Sequence, residues 1–306
     1  MTLPSFASFD RAVERLGCSC LEQEPMSRHT TFQIGGPADR FVTVEAVSQL
    51  KGLLAVLREE GMPFLLLGKG SNLLVSDRGI RGAVLLLSGE LKRVELLSGG
   101  LVRAGAGASL ASVCAFARDR GLTGLEFAWG IPGSVGGAAY MNAGAYGGEM
   151  KDVVERVFHL SPAGEEGSAS GENLRFSYRK SRYTGGREVI TSVEYRLSPG
   201  DPAQIAAQME DLMARRKGKQ PYDMPSAGSV FKRPEGYYAA ALIEECGLKG
   251  RQVGGAQVSP KHAGFIVNTG GATCADVLEL IRQIQREVYE RKGVRLEPEI
   301  RVTGEE

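Results

Sequence analysis

Nineteen residues in the middle of the chain have the composition of a loop that grips an anion. Seven of the nineteen residues from Gly130 to Gly148 are glycine, and apolar, aromatic and amide residues stand at irregular positions between them. A flexible linker would instead be rich in serine and other polar residues. Glycine lets the backbone approach a ligand closely and leaves amide N–H groups free to bind an anion. The segment therefore predicts a ligand-binding loop, and the alternative is a tight structural loop between strands.

A second glycine turn has the sequence Gly-Lys-Gly-Ser-Asn at 68–72 and follows a predicted buried strand. A P-loop would require glycine at the position of Pro63 and serine or threonine at the position of Gly70. The chemistry that remains is that of an anion-binding turn, in which Ser71 and Asn72 can donate hydrogen bonds.

The run Gly105-Ala106-Gly107 resembles the start of a dinucleotide-binding fingerprint. The third glycine position of that fingerprint holds Leu110, and no acidic residue ends a following strand about twenty residues further on. We therefore expect no Rossmann-type site at this point of the chain.

The overall composition limits the kinds of partner. The chain has 306 residues, of which 42% are hydrophobic and 24% charged, and a formal net charge of +1. These values are ordinary for a globular chain of about two domains. Such a charge favours neither nucleic acid nor a membrane surface as a partner, and no obligate protein partner is evident. No apolar run reaches the length of a membrane span, and the N-terminal segment lacks the apolar core of a signal peptide.

Cysteine and histidine bear on the redox compartment and on metal binding. The five cysteines are odd in number and form no Cys-x-x-Cys pair, which is typical of reduced thiols in a cytoplasmic protein. The three histidines are His29, His159 and His262, and none stands at a ligand-like spacing from another histidine or a cysteine. We therefore predict no metal site.

The elements that must position the two glycine loops follow from hydrophobic periodicity. Short strands are predicted around both loops, and a hairpin is predicted over 93–104. One helix should begin near Asp10, and others at the N-caps Ser48, Ser109 and Thr273, the last in a capping box. Further amphipathic helices are predicted over 203–216 and 238–246. Two prolines and a glycine at 199–202 interrupt both periods and predict a domain boundary.

Several motifs together resemble one family, UDP-N-acetylenolpyruvoylglucosamine reductase, of the vanillyl-alcohol-oxidase-like FAD-binding fold. The glycine turn at 68–74 resembles the pyrophosphate loop of that fold, and 130–148 resembles its second flavin-contacting loop. The other matching segments occur in the family's order along nearly the whole chain: Thr-Phe-Gln-Ile-Gly-Gly-Pro-Ala at 31–38, Tyr-Arg-Lys-Ser at 178–181, Ala-Gly-Ser-Val-Phe-Lys at 227–232, Gly-Gly-Ala at 254–256, Lys-His-Ala-Gly-Phe-Ile-Val-Asn at 261–268 and Leu-Glu-Pro-Glu-Ile-Arg at 296–301.

The resemblance implies a fold class and a domain division. The expected α+β fold has a two-lobed FAD-binding unit of vanillyl-alcohol-oxidase type, over residues 1–82 and 83–200. A C-terminal α+β substrate domain is expected over 201–306, and its strand at 296–301 should return to the active site. The same resemblance implies that a hydride moves from NADPH to FAD and then to the enolpyruvyl ether of UDP-N-acetylglucosamine, giving UDP-N-acetylmuramate for peptidoglycan synthesis.

The family's chemistry implies three catalytic residues. Hydride addition leaves negative charge that spreads into the substrate carboxylate, and the match assigns its stabilisation to Arg179, whose guanidinium can grip a carboxylate with two hydrogen bonds. Without the match, Arg179 would be interpreted as a surface ion-pair residue. Ser229 is the implied proton donor, although spacing alone favours an ordinary turn there. Glu299 is expected beside the developing charge with a pKa above its ordinary value, and Glu297 is the alternative.

The resemblance also implies binding residues. The expected contacts of a non-covalent FAD are Gly68, Lys69, Gly70, Ser71, Asn72, Ile131, Pro132, Gly133, Ser134, Gly136, Gly137, Ala138, Asn142, Ala145, Gly147 and Val189. The expected substrate contacts are Tyr178, Arg216, Lys217 and His262. The alternatives are that the two cations complement a helix dipole and that His262 is a satisfied histidine on a strand.

Two other functions and one departure from the family stay open. Another flavoenzyme of the same fold, such as a sugar or lactone oxidase that uses oxygen, would share the loops. A non-catalytic nucleotide-binding module could use the turn at 68–72 alone. Only nine residues separate Arg179 from Val189, so the chain lacks the insertion that carries a substrate-covering tyrosine loop and resembles the shorter, type II branch. How the uridine end is covered is therefore open.

Overall fold

The helices of the molecule agree closely with the amphipathic segments of the sequence, except for a short helix at Val135–Met141 within the segment predicted as a loop. A computed structural model describes residues 6–305. The α-helices of this part of the chain are α1 Ala7–Arg15, α2 Val47–Glu59, α3 Leu110–Arg118, α4 Val135–Met141, α5 Pro202–Lys219, α6 Ala239–Glu245 and α7 Cys274–Lys292. Within residues 6–305, none of them combines the length and the apolar character needed to cross a membrane.

The strands are mostly short. They are β1 Ser19–Pro25, β2 Pro37–Val44, β3 Phe64–Leu67, β4 Leu73–Val75, β5 Ile80–Leu87, β6 Val94–Leu96, β7 Leu101–Gly105, β8 Leu122–Thr123, β9 Gly144–Ala145, β10 Gly148–Glu149, β11 Val154–Leu160, β12 Glu166–Ser170, β13 Val189–Arg196, β14 Ser198–Pro199, β15 Ser226–Ser229, β16 Gln252–Val253, β17 Ala256–Val258, β18 Phe265–Asn268 and β19 Arg301–Thr303. The larger sheets have the orders β1-β2-β5-β3, β12-β11-β13-β7-β6 and β15-β18-β17-β16. Mixed helices and sheets of this kind confirm the α+β class.

The described residues divide into two compact units, each with its own apolar core. The first contains 6–21, 40–69 and 82–214, and the second contains 22–39, 70–81 and 215–305. The chain therefore passes from one unit to the other several times. The three-part division expected from the sequence, with limits at 82 and 200, stays a prediction.

The first unit carries the glycine-rich loop on an antiparallel sheet. Strand β13 is buried through Val189, Ile190, Val193 and Tyr195, because it lies in the middle of the five-stranded sheet, and α4 packs on it. Helix α2 buries Leu50, Leu53, Leu54 and Leu57, the periodic face that the sequence predicts. The predicted hairpin is confirmed, since β6 pairs with β7 in antiparallel register.

The second unit is built around α7 and the sheet β15-β18-β17-β16. Helix α7 buries its apolar face through Val277, Leu280, Ile281, Ile284 and Val288. Thr273 caps its N-terminus as predicted, accepting from the Asp276 N–H at 3.0 Å. In the same unit β19 pairs in parallel with β4, which brings the residue after Ile300 beside the turn at 70–72.

Three local predictions are wrong in detail. Helix α1 begins at Ala7, three residues before Asp10. Helix α2 begins at Val47 instead of after Ser48, and Ala46 is its N-cap residue. The Gln49 side chain, in the first turn, accepts the Ala46 N–H at 3.1 Å. The segment 296–301 is not a strand: Pro298 has no N–H to donate and makes one isolated bridge to Phe231, and β19 begins only at Arg301.

Candidate active site

The glycine-rich loop of the first unit leads into the short helix α4. Ser134 is its N-cap and accepts the Gly137 N–H at 3.2 Å. Backbone bonds join the loop to the strand-to-helix segment before α3, as Leu110 N–H donates to Gly133 and Gly136 N–H donates to Ala106, both at 2.9 Å. A Cβ on Gly136 would lie 3.0 Å from that of Ala106, so a larger residue would crowd Ala106 at this close approach.

The same unit brings Gly68 to the glycine-rich loop. A Cβ on Gly68 would lie 2.5 Å from the Ser134 hydroxyl oxygen, so the two predicted flavin loops meet at these residues. Gly68 and Lys69 are exposed, as are Pro132, Gly137 and Gly147. Exposed backbone of this kind, with few side chains and one cation, fits a ligand that carries a pyrophosphate.

The remaining predicted flavin contacts of the first unit differ in exposure. Ile131, Gly133, Gly136 and Ala145 are half-buried, whereas Ser134, Ala138, Asn142 and Val189 are buried. The Asn142 side chain is fully covered and is hydrogen-bonded within the protein. Direct contact of these residues with FAD stays a prediction.

The turn at 70–72 belongs to the second unit, where it packs on residues 29–31. Gly70 has φ +63°, and a Cβ there would collide with the His29 carbonyl, so no other residue type fits. Asn72 donates from its amide to the Glu299 carbonyl at 3.3 Å and accepts the Arg301 N–H on its own carbonyl at 2.9 Å. Ser71 is half-buried beside it. A predicted flavin residue and a predicted catalytic segment therefore lie next to each other.

Ser229 and Glu299 are adjacent in the second unit. Ser229 is exposed at the end of β15 and pairs with Phe265 on β18. The register of this pairing is irregular between Ser226 and Ser229, a stretch that includes Gly228 with φ +79°. The Glu299 N–H donates to the carbonyl of Val230 at 2.7 Å, which holds the two candidate residues on neighbouring segments. Sequence alone could not supply this pairing, because seventy residues separate the partners.

Glu297, the alternative to Glu299, is paired with a lysine. Its carboxylate forms an ion pair with Lys232, and its side chain is 71% exposed. The Lys232 N–H also donates to the Glu297 carbonyl at 2.8 Å. Glu297 thus has a local ion-pair partner, Glu299 lies on the segment that Asn72 and Val230 hold, and the choice between the two carboxylates stays a prediction.

Arg179 and Tyr178 occupy the corner of a turn in the first unit. The turn is closed by two backbone bonds between Ser177 and Lys180, of 3.0 and 3.1 Å. Arg179 has φ +57°, and its guanidinium carbon lies 5.1 Å from the centre of the Tyr178 ring. Tyr178 is 51% exposed. The turn therefore presents a cation and an aromatic ring together.

The predicted substrate contacts of the second unit lie near the end of α5. Arg216 is buried in its last turn, and Lys217 is exposed. The Lys261 ammonium donates to the Lys217 carbonyl at 2.6 Å, so a cation satisfies this helix end. Next to Lys261, His262 accepts the Gly264 N–H on Nδ1 at 3.1 Å, and burial lowers the pKa of its imidazole.

Residues 6–305 contain no cluster of metal-ligating side chains, and two of their buried thiols are poorly ionised. No group of three or more His, Cys, Asp or Glu side chains among them could hold a metal ion. Burial raises the pKa of Cys114 to about 12 and that of Cys274 to about 11, so neither thiol ionises readily.

The fold and the glycine loops have counterparts among flavoproteins. The family described as FAD binding domain matches residues 38–167. Cholesterol oxidase from Brevibacterium sterolicum is similar in structure, with a TM-score of 0.50 and 16% identity, covering 65% of this chain and 40% of that one. This likeness shows a shared fold alone. Together the fold, the loops and the family match define an FAD-containing oxidoreductase.

The rest of the chain identifies the family. The family described as UDP-N-acetylenolpyruvoylglucosamine reductase, C-terminal domain, matches residues 220–303. The UDP-N-acetylenolpyruvoylglucosamine reductase of Caldanaerobacter subterraneus subsp. tengcongensis is 52% identical over 92% of this chain and 93% of that protein. A crystal structure of UDP-N-acetylenolpyruvylglucosamine reductase from Thermus caldophilus has a TM-score of 0.80 and 39% identity, covering 93% of this chain and 98% of that one. The chain belongs to the UDP-N-acetylenolpyruvoylglucosamine reductase family, and the resemblance described above is confirmed.

Proposed function

We propose that this chain reduces the enolpyruvyl ether of UDP-N-acetylglucosamine to UDP-N-acetylmuramate in peptidoglycan precursor synthesis, with NADPH as the hydride source. The observation that carries the proposal is 52% identity to a reductase of that name over almost its whole length. The segments that hold Arg179, Ser229 and Glu299 are all present in this chain.

The bound flavin supplies hydride transfer, and the protein supplies orientation, charge and a proton. Arg179 grips the substrate carboxylate, into which negative charge spreads when hydride reaches the vinyl carbon. A guanidinium suits this role because its charge is permanent and its two N–H groups match the two carboxylate oxygens. The exposed Tyr178 ring beside it adds a contact surface for substrate.

Ser229 delivers the proton to the carbon next to the one that receives hydride. A serine hydroxyl is a weak acid, but protonation of an enolate is strongly downhill, so a well-placed weak donor suffices. Its exposure at the end of β15 leaves the hydroxyl accessible to a substrate. Glu299, whose backbone is bonded to Val230, acts beside it in its protonated form, because a charged carboxylate would repel the developing enolate.

We propose further that the flavin is held without a covalent bond and that the enzyme acts in the cytoplasm, where NADPH and the sugar nucleotide are dissolved. Arg216, Lys217 and His262 are proposed to contact the substrate from the second unit. No protein partner enters the proposal.

The decisive experiment follows the flavin spectrum of the purified protein without oxygen. We expect absorbance at about 450 nm, bleaching on addition of NADPH, and recovery only when the enolpyruvyl sugar nucleotide is added. Denaturation should release all of the flavin into solution. Formation of peroxide from a sugar without NADPH would identify an oxidase instead, and a colourless protein that takes up no flavin would exclude both.

A further inference from the structure

Asn142 is a buried polar residue with an unusual backbone. Its relative exposure is 0%, and it ends helix α4 in the left-handed conformation with φ +44°. Asparagine tolerates this conformation better than most residues. A completely covered amide must have its hydrogen bonds supplied by the protein, since an unpaired buried polar atom destabilises the folded state.

The three hydrogen bonds of this amide fix its orientation. Asn142 donates from Nδ2 to the Glu149 carboxylate at 2.6 Å and to the Ser177 carbonyl at 3.1 Å. It accepts the Lys151 N–H on Oδ1 at 2.9 Å. Since two acceptors face one end of the amide and a donor faces the other, the flipped orientation would break all three bonds.

The carbonyl that Asn142 holds belongs to the first residue of the Arg179 turn. The Ser177 carbonyl oxygen accepts two hydrogen bonds. One comes from the Lys180 N–H and closes the turn, and the other comes from the Asn142 side-chain amide. Arg179 lies in the left-handed region with φ +57°, which is unfavourable for a residue other than glycine. Such a conformation persists only when surrounding bonds enforce it.

A second bond fixes the far side of the turn to the same helix. The Ser181 hydroxyl donates to the Tyr140 carbonyl at 2.8 Å, and the Thr184 hydroxyl donates to that carbonyl at 3.0 Å. The last residues of α4 therefore hold the turn from both ends. Asn142 acts through its side-chain amide, and Tyr140 acts through its carbonyl and through its hydroxyl, which accepts the Gly185 N–H at 3.0 Å.

We propose that Asn142 is a positioning residue, which holds the Ser177–Lys180 turn so that the Arg179 guanidinium is aimed at the substrate carboxylate. Glu149 orients the Asn142 amide for this purpose. The inference rests on the proposed function of Arg179, and it gives the buried amide a role other than direct contact with FAD.

The first test is Asn142→Gly, because glycine adopts φ +44° without strain and ends helices well. We expect the turn to loosen, since the Ser177 carbonyl loses its side-chain donor. Hydrogen–deuterium exchange should then be faster in the peptide containing residues 177–180. Reoxidation of the reduced flavin by the enolpyruvyl sugar nucleotide should slow by about 10- to 100-fold, while reduction by NADPH stays unchanged. Asn173→Gly, an exposed site on the same unit, is the control and should change neither.

A double variant separates positioning from folding. Asn142→Asp alone should lower the melting temperature, since it places a carboxylate against Glu149 and the Ser177 carbonyl. Adding Glu149→Gln lets the new glutamine amide donate to the carboxylate introduced at position 142. The hydrogen bond to the Ser177 carbonyl stays absent. We expect the melting temperature to recover while exchange at 177–180 stays fast and flavin reoxidation stays slow.

Each outcome decides between the proposals. If stability and reoxidation recover together in the double variant, Asn142 only supports the fold and the inference is wrong. If the flavin of Arg179→Ala is reoxidised at the wild-type rate, the proposed role of Arg179 is wrong. The proposed role of Asn142 in positioning Arg179 for catalysis is then wrong as well. If Arg179→Ala is slow and Asn142→Gly is normal in both exchange and reoxidation, only the positioning inference fails.

Discussion

Ser229 lies where the pairing of β15 with β18 loses its regular register. The irregularity and the positive φ of Gly228 turn the end of the strand outward, so the hydroxyl is exposed instead of packed in the sheet. A proton donor needs this kind of placement, because it has to reach a carbon atom of a bound substrate. The strand residue before the irregularity, Ser226, gives a matched comparison in the same element.

Ser229→Ala should impair only one half of the catalytic cycle. We expect NADPH to bleach the flavin at the wild-type rate, while reoxidation by the enolpyruvyl sugar nucleotide falls by about 10²- to 10⁴-fold, the usual contribution of a positioned proton donor. Stopped-flow absorbance at the flavin maximum measures both rates. Ser226→Ala should leave both unchanged, and wild-type reoxidation in Ser229→Ala would remove the serine from the mechanism.

His262 should make stability depend on pH. Burial is the main cause that lowers the pKa of its imidazole, and the nearby Lys249 and Lys219 act in the same direction. The bond from the Gly264 N–H also needs an unprotonated Nδ1. The unfolded chain, with an ordinary histidine pKa of about 6.5, then binds the proton more readily than the folded one. The stabilising contribution is therefore complete above about pH 6.5 and declines as the pH falls through that value.

Denaturant unfolding of the wild type and of His262→Gln between pH 5 and pH 8 checks this sign. We expect the free energy of unfolding to fall less steeply with acid in the variant, whose amide does not titrate in this range. The ring protons of His262 should also titrate below the ordinary value in an NMR pH series. A steeper acid loss in the variant would contradict the assignment.

At the scale of elements, Asp77 attaches the segment 70–81 to helix α7. Its two carboxylate oxygens accept the N–H groups of Cys274 and Ala275 at 2.8 and 3.0 Å, in addition to the cap that Thr273 supplies. Helix N-termini favour negative charge, and loss of such a cap costs about 1–2 kcal/mol. We expect that loss in the unfolding free energy of Asp77→Ala, with Asp77→Asn in between.

Asp223, which is exposed, provides the control for Asp77. Asp223→Ala should stay within about 0.5 kcal/mol of the wild type, as surface substitutions usually do. Equal stability of the Asp77 and Asp223 variants would mean that the carboxylate contributes nothing at the end of α7.

Elements whose signals are local could be predicted from the sequence. The capping residues Ser109 and Thr273 and the buried face of α2 are confirmed because each depends on residues three or four positions apart. Ser48 is wrong as a cap because the helix already begins at Val47, where the Gln49 side chain accepts the N–H groups of Glu45 and Ala46 just before it. The strand at 296–301, implied by the resemblance, is wrong in extent because Pro298 has no N–H to donate, and β19 begins only at Arg301.

The candidate site was predictable as motifs but not as an arrangement. Glycines at 68, 70 and 136 stand where a side chain would collide, and their spacing in the sequence was a usable signal. The bond from Asn142 to Ser177 joins residues thirty-five positions apart, and the one from Glu299 to Val230 joins residues still more distant. Neither hydrogen bond corresponds to a periodic sequence pattern, so the roles of Glu149 and Ser177 could not be predicted from the sequence.

At the scale of the whole molecule, residues proposed to contact flavin occur in each of the two units. Gly68, Lys69 and the loop at 131–147 belong to the first unit, and residues 70–72 belong to the second. Each unit has a core of its own, with β13 and α2 in one and α7 in the other. A ligand that binds only the folded form stabilises that form by mass action.

Removing FAD should therefore lower the stability of the whole chain. At a free FAD concentration 100 times the dissociation constant, the expected stabilisation is about 2.7 kcal/mol, seen as a rise of several degrees in the melting temperature of the apoprotein. Riboflavin, which lacks the pyrophosphate, should raise it less, because the exposed loop with Lys69 then has no anion to bind. Lys69→Ala should reduce the FAD shift and leave the riboflavin shift unchanged, with Lys92→Ala as the control. Equal shifts for FAD and riboflavin would mean that binding depends on the flavin ring alone and that the glycine turn at 68–72 serves only the fold.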